Sequence, residues 1–434
     1  MFNKYNAYKD SGFQWIGEVP TNWFIDRLGT ILEPVSKKGN ADKPLLSITR
    51  EKGVILRDVE DDSENHNFIP DDLSNYKLIE KGQFGMNKMK AWQGSYGVSS
   101  HTGIVSPAYY VFRFIKPIYP EFFHWAIRSK TYISFFGSAS DGVRIGQWDL
   151  SKDRMKNIPF VFPDVDSQKK IVEFIQDKAE QIDQAIAIKE QQIALLNERK
   201  QIVIQKAVTQ GLNPNVAMKD SGVEWIGQIP EHWKISRIKH LGKILNGFAF
   251  PSDSFTDQGV RVLKISNIQT MTLDWQDESY IDEKWKKIAT NALVYKGDLV
   301  FALTRPIIST GLKATIIDSD ETMLLNQRNA VLRPNNKVIK EWLYYVLLAD
   351  GFVQEFEKKI DITGQQPNIS TVSIGNLPLV YPTLDEQVQI CETLERICQI
   401  IDEAINVEKK SIHQLKEYKT TLINDAVTGK IKVA

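Results

Sequence analysis

Lys9-Asp-Ser-Gly-Phe-Gln-Trp-Ile-Gly-Glu-Val-Pro-Thr-Asn-Trp23 returns later in the chain as Lys219-Asp-Ser-Gly-Val-Glu-Trp-Ile-Gly-Gln-Ile-Pro-Glu-His-Trp233. Nine of fifteen positions agree, among them two tryptophans, two glycines and a proline at fixed spacing. A second match closes each half: Asn157-Ile-Pro-Phe-Val-Phe-Pro163 pairs with Asn376-Leu-Pro-Leu-Val-Tyr-Pro382. From there the copies run ungapped at an offset of 219, setting Ile182-Asp183 against Ile401-Asp402 and Ala207-Val-Thr209 against Ala426-Val-Thr428. Between these anchors the halves diverge, although Lys81-Gly82 resembles Lys296-Gly297, Val111-Phe-Arg113 resembles Val331-Leu-Arg333, and Leu150-Ser151 resembles Ile369-Ser370. A period near 210 is domain-sized, whereas solenoids stack three or more short units. The chain therefore reads as one fold used twice with its surface diverged.

The composition of the 434 residues is that of an ordinary folded chain, 42% hydrophobic and 25% charged, which excludes disordered, collagen-like and low-complexity classes. No window approaches 18 uncharged apolar residues, the length of a membrane span, and Met1 to Asp10 has no apolar core of a secretory signal. The two cysteines, Cys391 and Cys398, fall two helical turns apart, about 10 Å and too far for a disulfide. A reducing cytoplasm is the expected compartment, and no Cys or His cluster has metal-ligand spacing.

After Pro163, and again after Pro382, long runs rich in Gln, Glu, Lys and Ile lack Gly and Pro. Asp166 or Ser167 is expected to cap the first run and Gly211 to stop it. Ile171, Ile175, Ile182, Ile186, Ile193, Leu196 and Val203 recur at helical spacing, as do Ile390, Leu394, Ile397, Ile401, Ile405, Ile412, Leu415 and Leu422. Each run predicts a helix of about 44 residues, or about 65 Å. A narrow stripe with charged flanks is a coiled-coil pattern. Two such helices in one chain, joined through a whole domain, should pair antiparallel, because an unpaired isoleucine stripe would aggregate.

The remaining blocks mix β-like runs (Leu45–Thr49, Val111–Phe114, Leu299–Leu303, Ala314–Ile317, Ala330–Leu332) with short helices (Glu121–Ser129, Glu341–Ala349), an α+β pattern. Net charge is zero, yet Lys77 to Lys156 holds twelve bases against five acids and Lys284 to Lys340 ten against four, while Asp58 to Asp72 holds seven acids and no base. Aromatic and amide side chains interleave with those bases. Lys and Arg suit phosphates, while Arg, Asn, Gln and Ser read base edges. The candidate DNA-binding residues are Lys88, Lys90, Trp92, Gln93, Tyr96, Ser99, His101 and Arg144 in the first half. In the second half they are Thr304, Arg305, Ser309, Lys313, Gln327, Arg328 and Gln365. The repeated tryptophans Trp15, Trp23, Trp225 and Trp233 read as a docked segment rather than a ligand cage.

Catalytic motifs are missing from the sequence. There is no phosphate loop, no Gly-rich dinucleotide turn, no nucleophile elbow and no His-Glu-x-x-His. Asp282-Glu283-Lys284 mimics half of a nuclease element without a partner acid, and Asn213-Pro214-Asn215-Val216 is not the loop of a base methyltransferase. The alternatives to a DNA-reading chain are a methyltransferase or endonuclease with degenerate motifs, or a protein scaffold without DNA contact.

The doubled opener, the "IP…P..EQ" start of a long helix (Asn376-Leu-Pro to Asp385-Glu386-Gln387), the helix end Ala426-Val-Thr-Gly429 and the string Gly364-Gln-Gln-Pro-Asn-Ile-Ser370 resemble the specificity subunit of a type I restriction–modification system. The first copy departs from the pattern at Ser167-Gln168, at Gln210 and at Gly146-Gln147-Trp148-Asp149-Leu150-Ser151. The resemblance implies two pseudo-symmetric target-recognition domains, 1–163 and 213–382, separated by two antiparallel coiled-coil spacers, 164–212 and 383–434. Each domain would read one half of a split, asymmetric site in double-stranded DNA. It further implies a chain without catalysis or a bound cofactor or metal. Its partners would be two methylation subunits carrying S-adenosylmethionine and motor-nuclease subunits carrying ATP and Mg²⁺, with no membrane involved.

Overall fold

The computed structural model describes residues 3–57, 69–142 and 148–433. Its contacts divide the chain into two compact units, Met1–Lys189 with Lys409–Ala434, and Glu190–Glu408. The division passes through both long helices, so each unit owns one end of each.

The first unit is built on a four-stranded antiparallel sheet in the order Leu32–Val35, Tyr109–Phe114, Phe84–Asn87, Tyr96–Val98. Bulky aromatic residues pin it to the helices Pro120–Ile127 and Lys130–Ser138. Phe123 meets Phe84 at 5.1 Å between ring centroids and Phe160 at 4.8 Å, and Phe136 meets Tyr96 at 4.5 Å. The edge-to-face and offset geometries are those that aromatic quadrupoles favour.

The second unit repeats that sheet with Gly242–Asn246, Asn329–Pro334, Leu299–Ala302 and Ala314–Ile316 in the corresponding order. The register is preserved as well. Phe84 faces Phe112 as Leu299 faces Leu332, and Val35 faces Val111 as Leu245 faces Val331. A one-residue slip would turn every inward side chain outward, so the shared register explains why the alternation survived while surface identities did not. Other repeated details have local causes. Gly82 and Gly297 both take positive φ, +88° and +85°, and Ser151 and Ser370 both cap a short helix through their hydroxyls. The second unit adds a five-stranded sheet of Phe255–Thr256, Tyr280–Ile281, Val260–Leu263, Met323–Leu325 and Leu293–Val294, which encloses a core of its own.

The long helices span Val165–Gln210 and Leu384–Val427. The first is capped by Asp164 and not by Asp166 or Ser167. The Asp164 carboxylate accepts the Ser167 amide at 3.0 Å and the Ser167 hydroxyl at 2.9 Å, which holds its pKa below the usual range. The shift from expectation reflects a helix that starts directly after Pro163 and Asp164. Gly211 ends the first helix at φ +74°, as expected, and Gly429 follows the second at +75°. In the first unit Gly429 packs on Trp23, and in the second Gly211 packs on Trp233; a side chain at either would meet ring carbon Cζ2 at 3.3 Å.

Each helix is tied to its unit by a fully buried glutamine. Gln168 accepts the Tyr119 amide at 2.8 Å and donates to the Pro163 carbonyl, while Gln387 accepts the Ile339 amide at 2.9 Å and donates to Lys337 and Pro382. The helix segments run antiparallel within each unit. Asp183 pairs with Lys419 in the first, and the repeat equivalents, Asp402 and Lys200, pair in the second. Ile182, Ile186 and Leu422 form the buried seam of the first unit. The second helix places Ile390, Leu394 and Cys398 in the core of the second. Both cysteines are free and buried.

The docked openers differ in one contact. Trp23 and Trp233 are both 1% exposed. Trp233 Nε1 donates to Glu386 at 3.0 Å, whereas Trp23 Nε1 has no acceptor at hydrogen-bond distance among the described residues, because Ser167 stands where the second copy has Glu386, and the Tyr5 ring is its neighbour instead. A buried N–H without a partner costs about 1–3 kcal/mol. We therefore expect Ser167→Glu to raise the stability of the chain by about 1 kcal/mol and Glu386→Ser to lower it by about as much or more. Denaturant titration checks this; unchanged midpoints in both variants would refute it.

Candidate nucleic-acid interface

In the second unit, three segments distant in sequence converge. The turn after Leu299–Ala302 carries Thr304 and Arg305, the approach to Asn329–Pro334 carries Gln327 and Arg328, and the string Gly364–Ser370 lies against both. The Thr304 hydroxyl donates to Asn368 Oδ1 at 3.1 Å, the Arg305 amide to the Pro367 carbonyl at 2.8 Å, and Arg328 to Gln366 Oε1 at 3.0 Å. Arg305 is held at φ +45°, a strained conformation for a residue with a side chain. Arg305, Ser309, Gln327, Arg328 and Gln365 are exposed. Thr304 and Lys313 are not, at 8% each. Lys313 donates to the Ile265 carbonyl at 2.5 Å, and burial lowers its pKa. Its ammonium group is spent inside the fold, positioning the segment near Ile265.

The first unit builds the counterpart from other residues. Leu150 N bonds Lys88 O at 3.1 Å just as Ile369 N bonds Leu303 O at 2.9 Å, so Asn87–Gln93 lies against Trp148–Ser151. On this frame Lys88 pairs with Asp149 at 3.0 Å, which raises the lysine pKa, and Trp92 meets Trp148 at 5.0 Å. Lys90 and His101 are exposed, and Trp92 and Gln93 half-buried. Two expected contacts are corrected. Tyr96 is fully buried against Phe84 and Phe136, where desolvation drives its pKa upward, because the strand Tyr96–Val98 points it inward. Ser99, 2% exposed, donates to the His101 carbonyl and accepts its amide, closing a turn. Arg144, together with most of the acidic stretch Asp58–Asp72, lies outside the described residues.

Among the described residues no group of three or more His, Cys, Asp or Glu is placed to hold a metal, and no helix is long and apolar enough to cross a membrane.

A family model described as the type I restriction modification DNA specificity domain matches residues 230–417. The type I restriction enzyme MjaVIII specificity subunit of Methanocaldococcus jannaschii is 32% identical over 302 residues, covering 69% of this chain and 68% of that one. The chain belongs to the type I restriction enzyme specificity subunits. The EcoAI specificity subunit of Escherichia coli is 31% identical over 205 residues, 46% of this chain and 33% of its own. Two solved structures share the fold at 16% identity. One, titled as the structural basis of complex assembly and conformational transition of the type I R-M system, has a TM-score of 0.71 over 94% of this chain and 98% of that one. The other, the HsdS subunit from Thermoanaerobacter tengcongensis, has a TM-score of 0.56 over 97% and 100%. As a specificity subunit the chain takes the DNA-recognition part in its system and not the catalytic one.

Sequence reasoning about this specificity subunit missed Gln366, Asn368 and Trp148, which complete the two surfaces. They lie within strings that the repeat sets side by side, and their alignment opposite Leu303 and Lys88 was the available signal. It also missed His124. This imidazole accepts the Val98 amide at 3.2 Å, and burial, then the Arg128 charge, lowers its pKa to about 4. The neutral form is the one the fold accepts. Above pH ~6.5 both folded and unfolded states are neutral, and below it the unfolded chain protonates first, so stability is lost as pH falls from ~6.5 toward 4. About 2 kcal/mol should be gone by pH 5. In His124→Asn, which keeps an acceptor for Val98, that part of the pH slope should vanish in urea titrations at pH 7 and pH 5; an equal slope would refute the assignment.

Proposed function

We propose that each lobe reads one half of a bipartite, asymmetric site in double-stranded DNA. Target-recognition domains at residues 1–163 and 213–382 would do the reading, and spacers at 164–212 and 383–434 would set the gap. The observation that carries this reading is the repeated convergence of the same backbone segments with different side chains on them: Lys88, Lys90, Trp92 and Trp148 in one lobe, and Arg305, Gln327, Arg328 and Gln365 in the other. One frame with two side-chain sets suits two unlike half-sites. Arg, Gln and Asn supply the bidentate groups for guanine and adenine edges, while Lys90 and His101 suit the backbone.

The partners on this reading are two methylation subunits, bringing S-adenosylmethionine, and motor-nuclease subunits, bringing ATP and Mg²⁺. Support for helical docking comes from Ile188, Leu195 and Ile202, at seven-residue intervals and each more than half exposed, and from Ile400 on the second helix. A heptad stripe left outside the intramolecular seam suits further helices packing alongside.

Two experiments follow. In complex with the methylation subunits, Arg305→Ala should weaken binding to the cognate duplex about tenfold or relax one position of one half-site, leaving the other half-site intact; unchanged affinity and sequence preference would refute the placement. Inserting or deleting one helical turn in both spacers should alter the number of base pairs between the methylated adenines in host DNA, read by methylation sequencing. An unchanged gap would refute the spacer role.

A further inference from the structure

The first unit contains a cleft of about 820 Å³ walled by the start of the helix Lys130–Ser138. The volume is ample for a nucleotide-sized ligand. Its lining includes Arg50, Trp92, Trp125, Arg128, Ser129 and Lys130. The helix start is open: Ser129 occupies the cap position, yet its hydroxyl makes no capping bond. That residue is 5% exposed, and its hydroxyl has no hydrogen-bond partner among the described residues. Trp92 Nε1, in the same wall, also has none among the described residues. First-turn amides have no partner within a helix, and the helix dipole favours negative charge there.

The charges of the cleft point the same way. Arg50 pairs with Glu51, and Lys419, also in the lining, pairs with Asp183. Among the described residues Arg128 hydrogen-bonds to carbonyl oxygens alone, those of Gly94, Tyr96, Arg50 and Glu51. Lys130 forms no ion pair among the described residues. Two positive charges are thus left facing the cleft.

The second unit supplies an internal control. Its matching helix, Asp350–Glu357, follows Ala349 where the first unit has Ser129, and begins with Asp350 where the first has Lys130. Asp350 places a carboxyl group there, Gln205 accepts the Gly351 amide at 3.0 Å, and the Gln201 amide, with its nitrogen turned toward them, is within hydrogen-bond reach of Leu348 O and Asp350 Oδ1. The repeat equivalents of Gln201 and Gln205 are Thr420 and Asn424, which are shorter; Asn424 Oδ1 accepts the Thr131 hydroxyl at 3.3 Å. One copy closes its helix start with Gln205 as acceptor and a carboxyl group beside it, and the other has neither there.

We propose that the first unit binds the phosphoryl group of a nucleotide at the start of the Lys130–Ser138 helix. Ser129 and the first-turn amides donate to it after rotation of the serine hydroxyl, Lys130 and Arg128 balance its charge, and Trp92 offers a ring face to the base. A free mononucleotide and a nucleotide within DNA share this chemistry. The site does not depend on the half-site reading above.

The test uses the full chain without DNA, titrated calorimetrically with 5′-dAMP and with inorganic phosphate in chloride-free buffer. The double variant S129A/K130D copies Ala349-Asp350, a helix start this fold already accommodates, and Lys130→Ala is a milder second variant; circular dichroism and melting confirm that both are folded. If free nucleotide is the source, dAMP binds the wild-type chain, more tightly than inorganic phosphate, and both variants lose about tenfold or more. If DNA is the source, dAMP binding is weak, and in duplex titrations Lys130→Ala reduces the slope of log affinity against log salt by about one. Variants equal to wild type in dAMP binding, phosphate binding and salt slope would overturn the proposal. Failure of the half-site reading would show instead in Arg305→Ala, which leaves this cleft untouched.

Discussion

The structure depends on how the ends of two very long helices are held. Each begins at a glutamine with no exposed surface, whose amide group answers backbone groups of the adjoining loop and of the next helix start. Buried amides must be paired at both ends, and their geometry tolerates little displacement, so Gln168 and Gln387 fix each helix to the lobe that precedes it. The far end is held differently, by a left-handed glycine that lets the backbone close on a tryptophan ring. Between these anchors the stripe is only partly covered: Ile193, Leu196 and Val203 are half-buried, whereas Ile171, Ile175, Ile204 and Val208 are buried. Stability is concentrated where the helices meet the lobes, and the middle is left with apolar surface to offer.

That distribution separates what duplication preserved from what it released. Sheet order, register, the left-handed glycines before the third strand and the serine caps of the last short helix recur, because each answers a backbone requirement. The side chains that ride on the converging loops answer none, and they differ throughout. Lys90 and Arg305 stand at matching places, Asp149 matches Asn368, and the tryptophan pair of the first lobe has no counterpart in the second. A recognition surface can diverge freely when its scaffold is held by contacts on the other side of the sheet.

The same distinction explains what was legible in the sequence. Periodicity, proline and glycine placement and repeat spacing disclosed the two lobes, the long helices, their pairing and the strands at Leu299 and Ala314, since these are properties of composition along the chain. Polarity alone could not say where a polar side chain turns. Lys313 looks like a phosphate contact, yet its partner is a carbonyl 48 residues away, and Tyr96 looks like a stacking platform, yet strand alternation sends it into the core. The roles of Gln366, Asn368 and Trp148 emerge only when strands far apart in sequence bring their loops together.

Two copies of one fold also allow each to be judged against the other, and the differences between them are not all of one kind. At the docked tryptophan, Ser167 in place of Glu386 leaves the buried Trp23 N–H with no acceptor at hydrogen-bond distance among the described residues and only the Tyr5 side chain packed beside it, which is the mark of tolerated drift. At the helix starts, Ser129-Lys130 in place of Ala349-Asp350 comes with coordinated changes on a separate helix, Thr420 and Asn424 for Gln201 and Gln205, and together they open a cleft and reverse its charge. Drift would alter one partner of a contact and leave the other stranded. A set of substitutions that removes a carboxyl group, replaces Gln201 by Thr420, shortens Gln205 to Asn424 and adds a lysine follows a single electrostatic logic: the helix dipole favours negative charge at that helix start, and on the proposal above the first copy takes it from outside the chain.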